Sequence, residues 1–130
     1  MSVVAGYLPT AGGSAAVDAA IEEARRRQTS LVVVNTGDRE DYSGPEFATA
    51  KDLDALDAEL QQAGLEHVVI QPTRGLSAAE EILQAADDHG AEVVVIGIRR
   101  RSPIGKLILG STAQEVLLAA NCPVLAVKPD

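Results

Sequence analysis

The sequence predicts one α/β domain spanning residues 1–130, a three-layer sandwich on a five-stranded parallel sheet. Short runs rich in Val and Ile alternate along the chain with stretches whose apolar residues recur at helical spacing, the pattern of buried parallel strands and amphipathic helices. Strands separated by helices run parallel through right-handed crossovers, which places helices on both faces of the sheet. Size agrees: with 130 residues, 46% of them hydrophobic, a chain of this length buries roughly two thirds of its unfolded surface and needs neither metal nor disulfide to hold a core.

The first strand is read from Val3 to Tyr7. Val17, Ala20, Ile21 and Ala24 then form a helical stripe, closed by Arg25-Arg26-Arg27, where cations complement the dipole and face solvent. Leu31 to Thr36 is the second strand. Gly37 to Pro45, with Asp38, Glu40, Asp41, Ser43 and Gly44, has no periodicity and reads as a surface loop. Leu53, Leu56, Leu60 and Ala63 mark the second helix, stopped at Gly64, a residue suited to the left-handed position after a helix. His67 to Gln71 is the third strand. The third helix carries Ala79, Ile82, Leu83 and Ala86 between a capping box, Ser77 with Glu80, and a stop at Gly90. Val93 to Ile98 is the fourth strand. Ser111 with Gln114 reads as a second capping box, opening a helix with Val116, Leu117 and Ala120, before a last strand from Val124 to Val127.

Composition narrows the function. A net charge of −8 works against nonspecific attraction to nucleic acid or anionic lipid. Three aromatics, Tyr7, Tyr42 and Phe47, cannot make a base-stacking platform. Apolar runs of six residues or fewer fall far short of the about 20 that a membrane helix requires. The single cysteine, Cys122, allows no internal disulfide, and the chain opens on no leader-like segment, so a cytoplasmic protein is expected.

Chemistry concentrates between Gly97 and Thr112. Four of the eleven basic residues, Arg99, Arg100, Arg101 and Lys106, fall here, and no acid lies between Val93 and Gln114. The segment leaves the C-terminal end of a strand, carries glycines that allow close approach, and ends at Gly110-Ser111-Thr112, a helix start whose free amides favour an anion. These features point to a phosphate, and equally describe a solvated turn with a helix cap. Gly105-Lys106 is not a P-loop, because Arg101 and Leu107 stand where that motif needs glycine and Ser or Thr.

The run from Ala91 to Lys128, with Gly97, the basic loop, Gly110-Ser111 and Asn-Cys-Pro-Val-Leu-Ala-Val, resembles the C-terminal half of a universal stress protein. The likeness extends to Gly75-Leu-Ser-Ala-Ala-Glu-Glu-Ile-Leu and to a first strand leading into Pro9-Thr10. It implies the Rossmann-like fold of the adenine nucleotide alpha hydrolase type, strand order 3-2-1-4-5, and an ATP motif G-x2-G-x9-G-[ST]. Gly97 and Gly110-Ser111 match that motif, whereas Arg100 replaces its second glycine. Nucleotide-binding relatives place Asp near Pro9-Thr10, and this chain has Ala11 there. The site so implied comprises Tyr7, Pro9, Thr10, Thr36, Gly97, Arg99, Arg100, Gly110, Ser111 and Thr112, with Asn35-Thr36 bordering the base. Its ligand would be ATP or another adenine nucleotide, and any magnesium would accompany the nucleotide rather than occupy a protein-only metal site.

The remaining candidates read as structural. His67 enters a strand, His89 ends a helix beside Gly90, and Cys122 is a small hydrophobe at a strand entrance. Asp52, Asp54, Asp57 and Glu59 spread around a helix without metal-ligand spacing. No catalytic set can be placed beside the basic loop, so turnover beyond slow nucleotide hydrolysis is not expected. Two readings stand: a nucleotide-binding stress sensor or adaptor with an unidentified protein partner, or a nucleotide-free homodimeric interaction module. Val124 to Val127, an edge strand in the implied order, lacks any charge or proline within the run and would pair with a second copy.

Overall fold

The computed structural model describes residues 1–7, 11–35, 50–70, 76–100, 107–108 and 110–128, with the backbone alone at 11–14, 50–53, 99–100 and 107–108. Its elements are β1 (Ser2–Tyr7), α1 (Ala11–Arg27), β2 (Ser30–Asn35), α2 (Ala50–Gln62), β3 (His67–Ile70), α3 (Ala78–His89), β4 (Ala91–Gly97), β5 (Arg99–Arg100), β6 (Leu107–Ile108), α4 (Ser111–Ala119) and β7 (Val124–Val127). The five longer strands form a parallel sheet in the order β3-β2-β1-β4-β7. Counting those five alone, this is the expected 3-2-1-4-5. β5 and β6 add a short antiparallel pair, Arg99 opposite Ile108 and Arg100 opposite Leu107, too brief to leave a periodic signal in the sequence.

Period-two alternation splits the apolar residues between the two faces. Val3, Ala5, Leu31, Val33, Val93 and Val95 pack with Ala16, Val17, Ala20, Ile21 and Ala24 of α1 and with Leu56 and Leu60 of α2. Val4, Val32, Val34, Val94 and Ile96 pack with Ala79, Ile82 and Ala85 of α3 and with Ala113 and Val116 of α4. Because both faces are covered, the central strands are apolar throughout rather than alternating with polar residues. At the start of β4 the register slips: Ser2 lies opposite Ala91 and Val3 opposite Val93, leaving Glu92 as an extra residue. Ser2 is buried there, its hydroxyl donating to the His89 carbonyl at 3.0 Å.

α1 and α2 end alike. The Thr29 N–H donates to the Ala24 carbonyl and the Gln28 N–H to that of Arg25; the Leu65 and Gly64 N–H groups donate in the same way to Leu60 and Gln61. This double bond pattern needs a left-handed residue. Gly64 takes it as expected at φ 73°, but in α1 it falls to Gln28 at φ 54°. Arg25 is exposed as expected, and from the surface it donates from Nη2 to the Ala63 carbonyl at 3.0 Å. Arg26 and Arg27 pair with Glu23, each at 3.1 Å, on the surface.

α3 carries the expected capping box: the Ser77 hydroxyl accepts from the Glu80 N–H at 3.2 Å and the Glu80 carboxylate from the Ser77 N–H at 3.1 Å. Gly90 follows the helix in the left-handed region, as expected. For α4 the expected box on Ser111 is not formed. Its N-cap is Gly110, extended at φ −71° and ψ 168°, and no side chain caps it. The Gly110 carbonyl already accepts from the Gln114 N–H at 3.0 Å, so the helix begins one residue too early for Ser111 to serve as cap. Leu117 also departs from its expected core position and is 40% exposed, because α4 meets the sheet along Ala113 and Val116 alone.

Candidate functional site

From β1 the chain moves outward through β2 and β3, then returns to β4 on the other side of β1. Strand order therefore reverses between β1 and β4, and ligands of open parallel sheets sit in the crevice beyond such a reversal, at the carboxyl ends of the strands. Tyr7 ends β1, Asn35 ends β2 and Gly97 ends β4. Tyr7 and Asn35 are level with each other in the register. Tyr7 is half-buried against the α1 side of the core, and Asn35 is buried. Beyond Gly97 the Ile98 N–H donates to the Val127 carbonyl at 2.8 Å, holding the exit from β4 against β7.

The helix after this exit begins at the same edge of the sheet, since α4 must run back before β7 can lie parallel to β4. Its N-cap, Gly110, brings no side chain to cap the first amides. A Cβ on Gly110 would meet nothing within 4 Å among the described residues. Ser111 is exposed and Thr112 half-buried, both in the first turn. This is the donor chemistry of an anion site, with the positive end of the helix dipole behind it.

The structure thus brings Tyr7, Gly97, Gly110, Ser111 and Thr112 to one edge of the sheet. Arg99 and Arg100 are described in backbone only, paired with Ile108 and Leu107. Neither has a positive φ, the one such non-glycine residue among those described being Gln28. At position 100 the backbone is extended and makes no conformational demand for glycine. Pro9, Thr10, Thr36, Arg101 and Lys106, together with the 37–45 connection and Gly75, lie outside the described residues.

Elsewhere the side chains do structural work. The Cys122 thiol is half-buried against the core on the α3 side, and burial, with the Asp87 charge adding to it, pushes its pKa up. That is the opposite of what a nucleophile requires. Among the described residues no group of three or more His, Cys, Asp or Glu side chains is placed to hold a metal, and no helix is long and apolar enough to cross a membrane. One polar pair escaped the sequence reading. Asp57, read with Asp52, Asp54 and Glu59 as a solvated face, accepts from His67 Nε2 at 2.6 Å. Its partner is a strand residue ten positions on, so helical spacing carried no signal of the contact.

The model of the universal stress protein family matches residues 2–128. The chain belongs to the universal stress protein family. A universal stress protein of Mycolicibacterium smegmatis is 46% identical over 127 residues, covering 98% of this chain and 97% of the relative. Among solved structures, a universal stress protein from Archaeoglobus fulgidus superposes with a TM-score of 0.80 at 32% identity, covering 98% of each chain. An Archaeoglobus fulgidus universal stress protein in complex with dAMP gives a TM-score of 0.67 at 28% identity, again over 98% of each chain. Family and fold thus agree with the resemblance carried by the Ala91 to Lys128 segment.

Proposed function

We propose that this universal stress protein binds an adenine nucleotide and acts as a sensor or adaptor in the stress response, in the cytoplasm, as one domain over residues 1–130. The observation that carries the reading is the uncapped N-terminus of α4 at the reversal in strand order. Its amides fit a phosphate, and the segment leading to it holds four basic residues and no acid. The related dAMP complex supports the same ligand class. In this reading Gly97, Gly110, Ser111 and Thr112 hold the phosphates with Arg99 and Arg100, while Tyr7, Pro9, Thr10 and Thr36 line the adenosine side. Arg100 offers a forked cationic donor where a glycine would offer close backbone approach. Magnesium, where present, enters with the phosphates.

Binding rather than turnover is the role, since no general base or nucleophile stands among the described residues at this edge. The test is mass spectrometry of small molecules released from freshly purified, denatured protein. A stoichiometric adenine nucleotide is expected; a blank from protein never exposed to chelators or charcoal would sink the reading. Phosphate contacts made through exposed charge are screened over about 8 Å at physiological salt. Calorimetric affinity for ATP should therefore fall as salt rises.

The open edge of β7 favours assembly as well. Val124–Val127 has β4 on one side and no strand on the other among the described residues, and Leu125 is 38% exposed. Two such edges paired antiparallel about a twofold axis close a homodimer. Light scattering at tens of micromolar protein should give a dimeric mass, lost in Leu125→Pro through the missing ladder donor. Should the nucleotide be absent, this dimer would remain as a protein interaction module.

A further inference from the structure

The imidazole of His67 sits at the start of β3, with its side chain 9% exposed, and both ring nitrogens meet oxygen. Nδ1 lies 2.8 Å from the Leu65 carbonyl and Nε2 lies 2.6 Å from Oδ1 of Asp57 in α2. Neither oxygen can donate: a carbonyl only accepts, and so does an ionised carboxylate. A neutral imidazole carries one N–H, so it can satisfy one of these partners and must turn a lone pair toward the other. Both contacts are made together only by the imidazolium.

The surroundings favour that charged form. The other oxygen of Asp57 accepts from Gln61 Nε2 at 3.3 Å, which orients the carboxylate toward the ring. On β2 the register partner of His67 is Leu31, an apolar and fully buried residue. Among the described residues Asp57 is the charged group acting on the ring, and neighbouring Glu66 is exposed. The Leu65 carbonyl first, and Asp57 after it, hold the His67 pKa above its ordinary 6.5, against the opposing effect of burial.

The apolar contacts holding α2 on the sheet come from Leu56 and Leu60. At its C-terminal end the Arg25 contact to the Ala63 carbonyl fixes it at every physiological pH, because a guanidinium does not lose its proton. Among the described residues the Asp57 contact is a second polar tie, and it is strongest with the ring protonated. We infer that His67 is a pH-sensitive latch: its imidazolium pins the middle of α2 to β3, and loss of the second proton leaves one N–H for two oxygens, weakening that tie so that α2 loosens toward its N-terminal end. With β2 and β3 parallel, α2 starts at the carboxyl edge of the sheet, so its loosening would act at the edge where the proposed site lies, a consequence that rests on that reading. The sign follows from the raised pKa. The stabilisation is fully present below the unfolded value and is lost as pH rises through the folded one.

The test uses the full chain and two NMR measurements between about pH 5.5 and 9, a range that brackets the ordinary histidine titration. His67 ring resonances give its pKa, and amide exchange gives protection in α2 relative to α1, with the intrinsic pH dependence divided out. The inference expects a pKa above 6.5 that falls in Asp57→Asn, a severalfold loss of α2 protection across the same titration, and α2 protection independent of pH in His67→Gln. Asp57 is half-exposed, so the Asn variant keeps the fold even if His67→Gln does not. A His67 pKa at or below 6.5, or α2 protection tracking α1 throughout, overturns it.

Discussion

α3 and α4 lie side by side on one face of the sheet and start at the same edge, yet they begin in opposite ways. At α3 a serine and a glutamate close the first turn reciprocally, satisfying two backbone donors from within the chain. At α4 a glycine stands in the N-cap position and brings no side chain to close the first turn, and the serine that resembles a cap is exposed one position later. The difference separates stability from function. α3 is finished by its own residues, whereas α4 starts on a glycine, and in the proposed reading its donors and dipole face the phosphates at the reversal in strand order.

The largest effect should come from closing α4. Ser111→Asp places a carboxylate at the helix start, where it should stabilise the fold by about 0.3 to 1 kcal/mol through the dipole. It should also repel the phosphates and weaken nucleotide binding at least about tenfold, equivalent to about 1.4 kcal/mol. Calorimetric titration and a melting curve read the two together. If affinity survives while the melting temperature rises, the α4 terminus is not the phosphate site.

Opening α3 is the converse. Ser77→Ala should cost about 1 kcal/mol, the typical value for a lost N-cap, and should leave nucleotide affinity unchanged. Urea denaturation gives the first quantity and titration the second. Unchanged stability would mean that the capping box contributes nothing that water does not replace.

Both helix starts were legible in the sequence, but the contrast between them was not, and the reason is physical. Ser77-x-x-Glu80 and Ser111-x-x-Gln114 present nearly the same pattern, and only the first forms a box. What separates them is the backbone entering each helix: Gly110 arrives extended and takes the cap position itself. The central strands were readable because burial on both faces leaves nearly uninterrupted Val and Ile runs, and the helices because their apolar residues recur at helical spacing. Sequence marked the basic segment by charge, yet could not anticipate that Arg99 and Arg100 enter a two-residue ladder with Ile108 and Leu107. Gln28 was missed because left-handed helix stops are read from glycine or asparagine, and here the hydrogen-bond pattern imposes that geometry on a glutamine. His67 with Asp57 was invisible for want of any short-range spacing.

The smallest expected effect is the acid response of the α3 cap. The Ser77 backbone N–H first, then its hydroxyl, hold the Glu80 carboxyl below its ordinary 4.5. The linked stability is present above that ordinary value and lost as pH falls through the lowered one. Acid titration of stability in Glu80→Gln should therefore be slightly flatter than in the parent below about pH 4.5, the range in which glutamates protonate. α4 has no matching carboxylate in its first turn, so Gln114→Ala should leave the acid limb where it is. A steeper limb in Glu80→Gln would reverse the sign argued here.

The alternation of residues through the sheet bears on how such a chain can change over generations. Because successive positions of β1, β2 and β4 serve different cores, a replacement on one side needs compatible neighbours on that side alone, and the two halves are free to drift separately. Gaining or losing one residue inside a strand is another matter, since it would exchange the two sets of side chains wholesale. Within β4 the extra residue, Glu92, falls before Val93, where the alternating core run begins. Ala91 and Val93 consequently pack on opposite faces. An added residue is absorbed there, ahead of the run from Val93 to Ile96, whose phase it leaves intact.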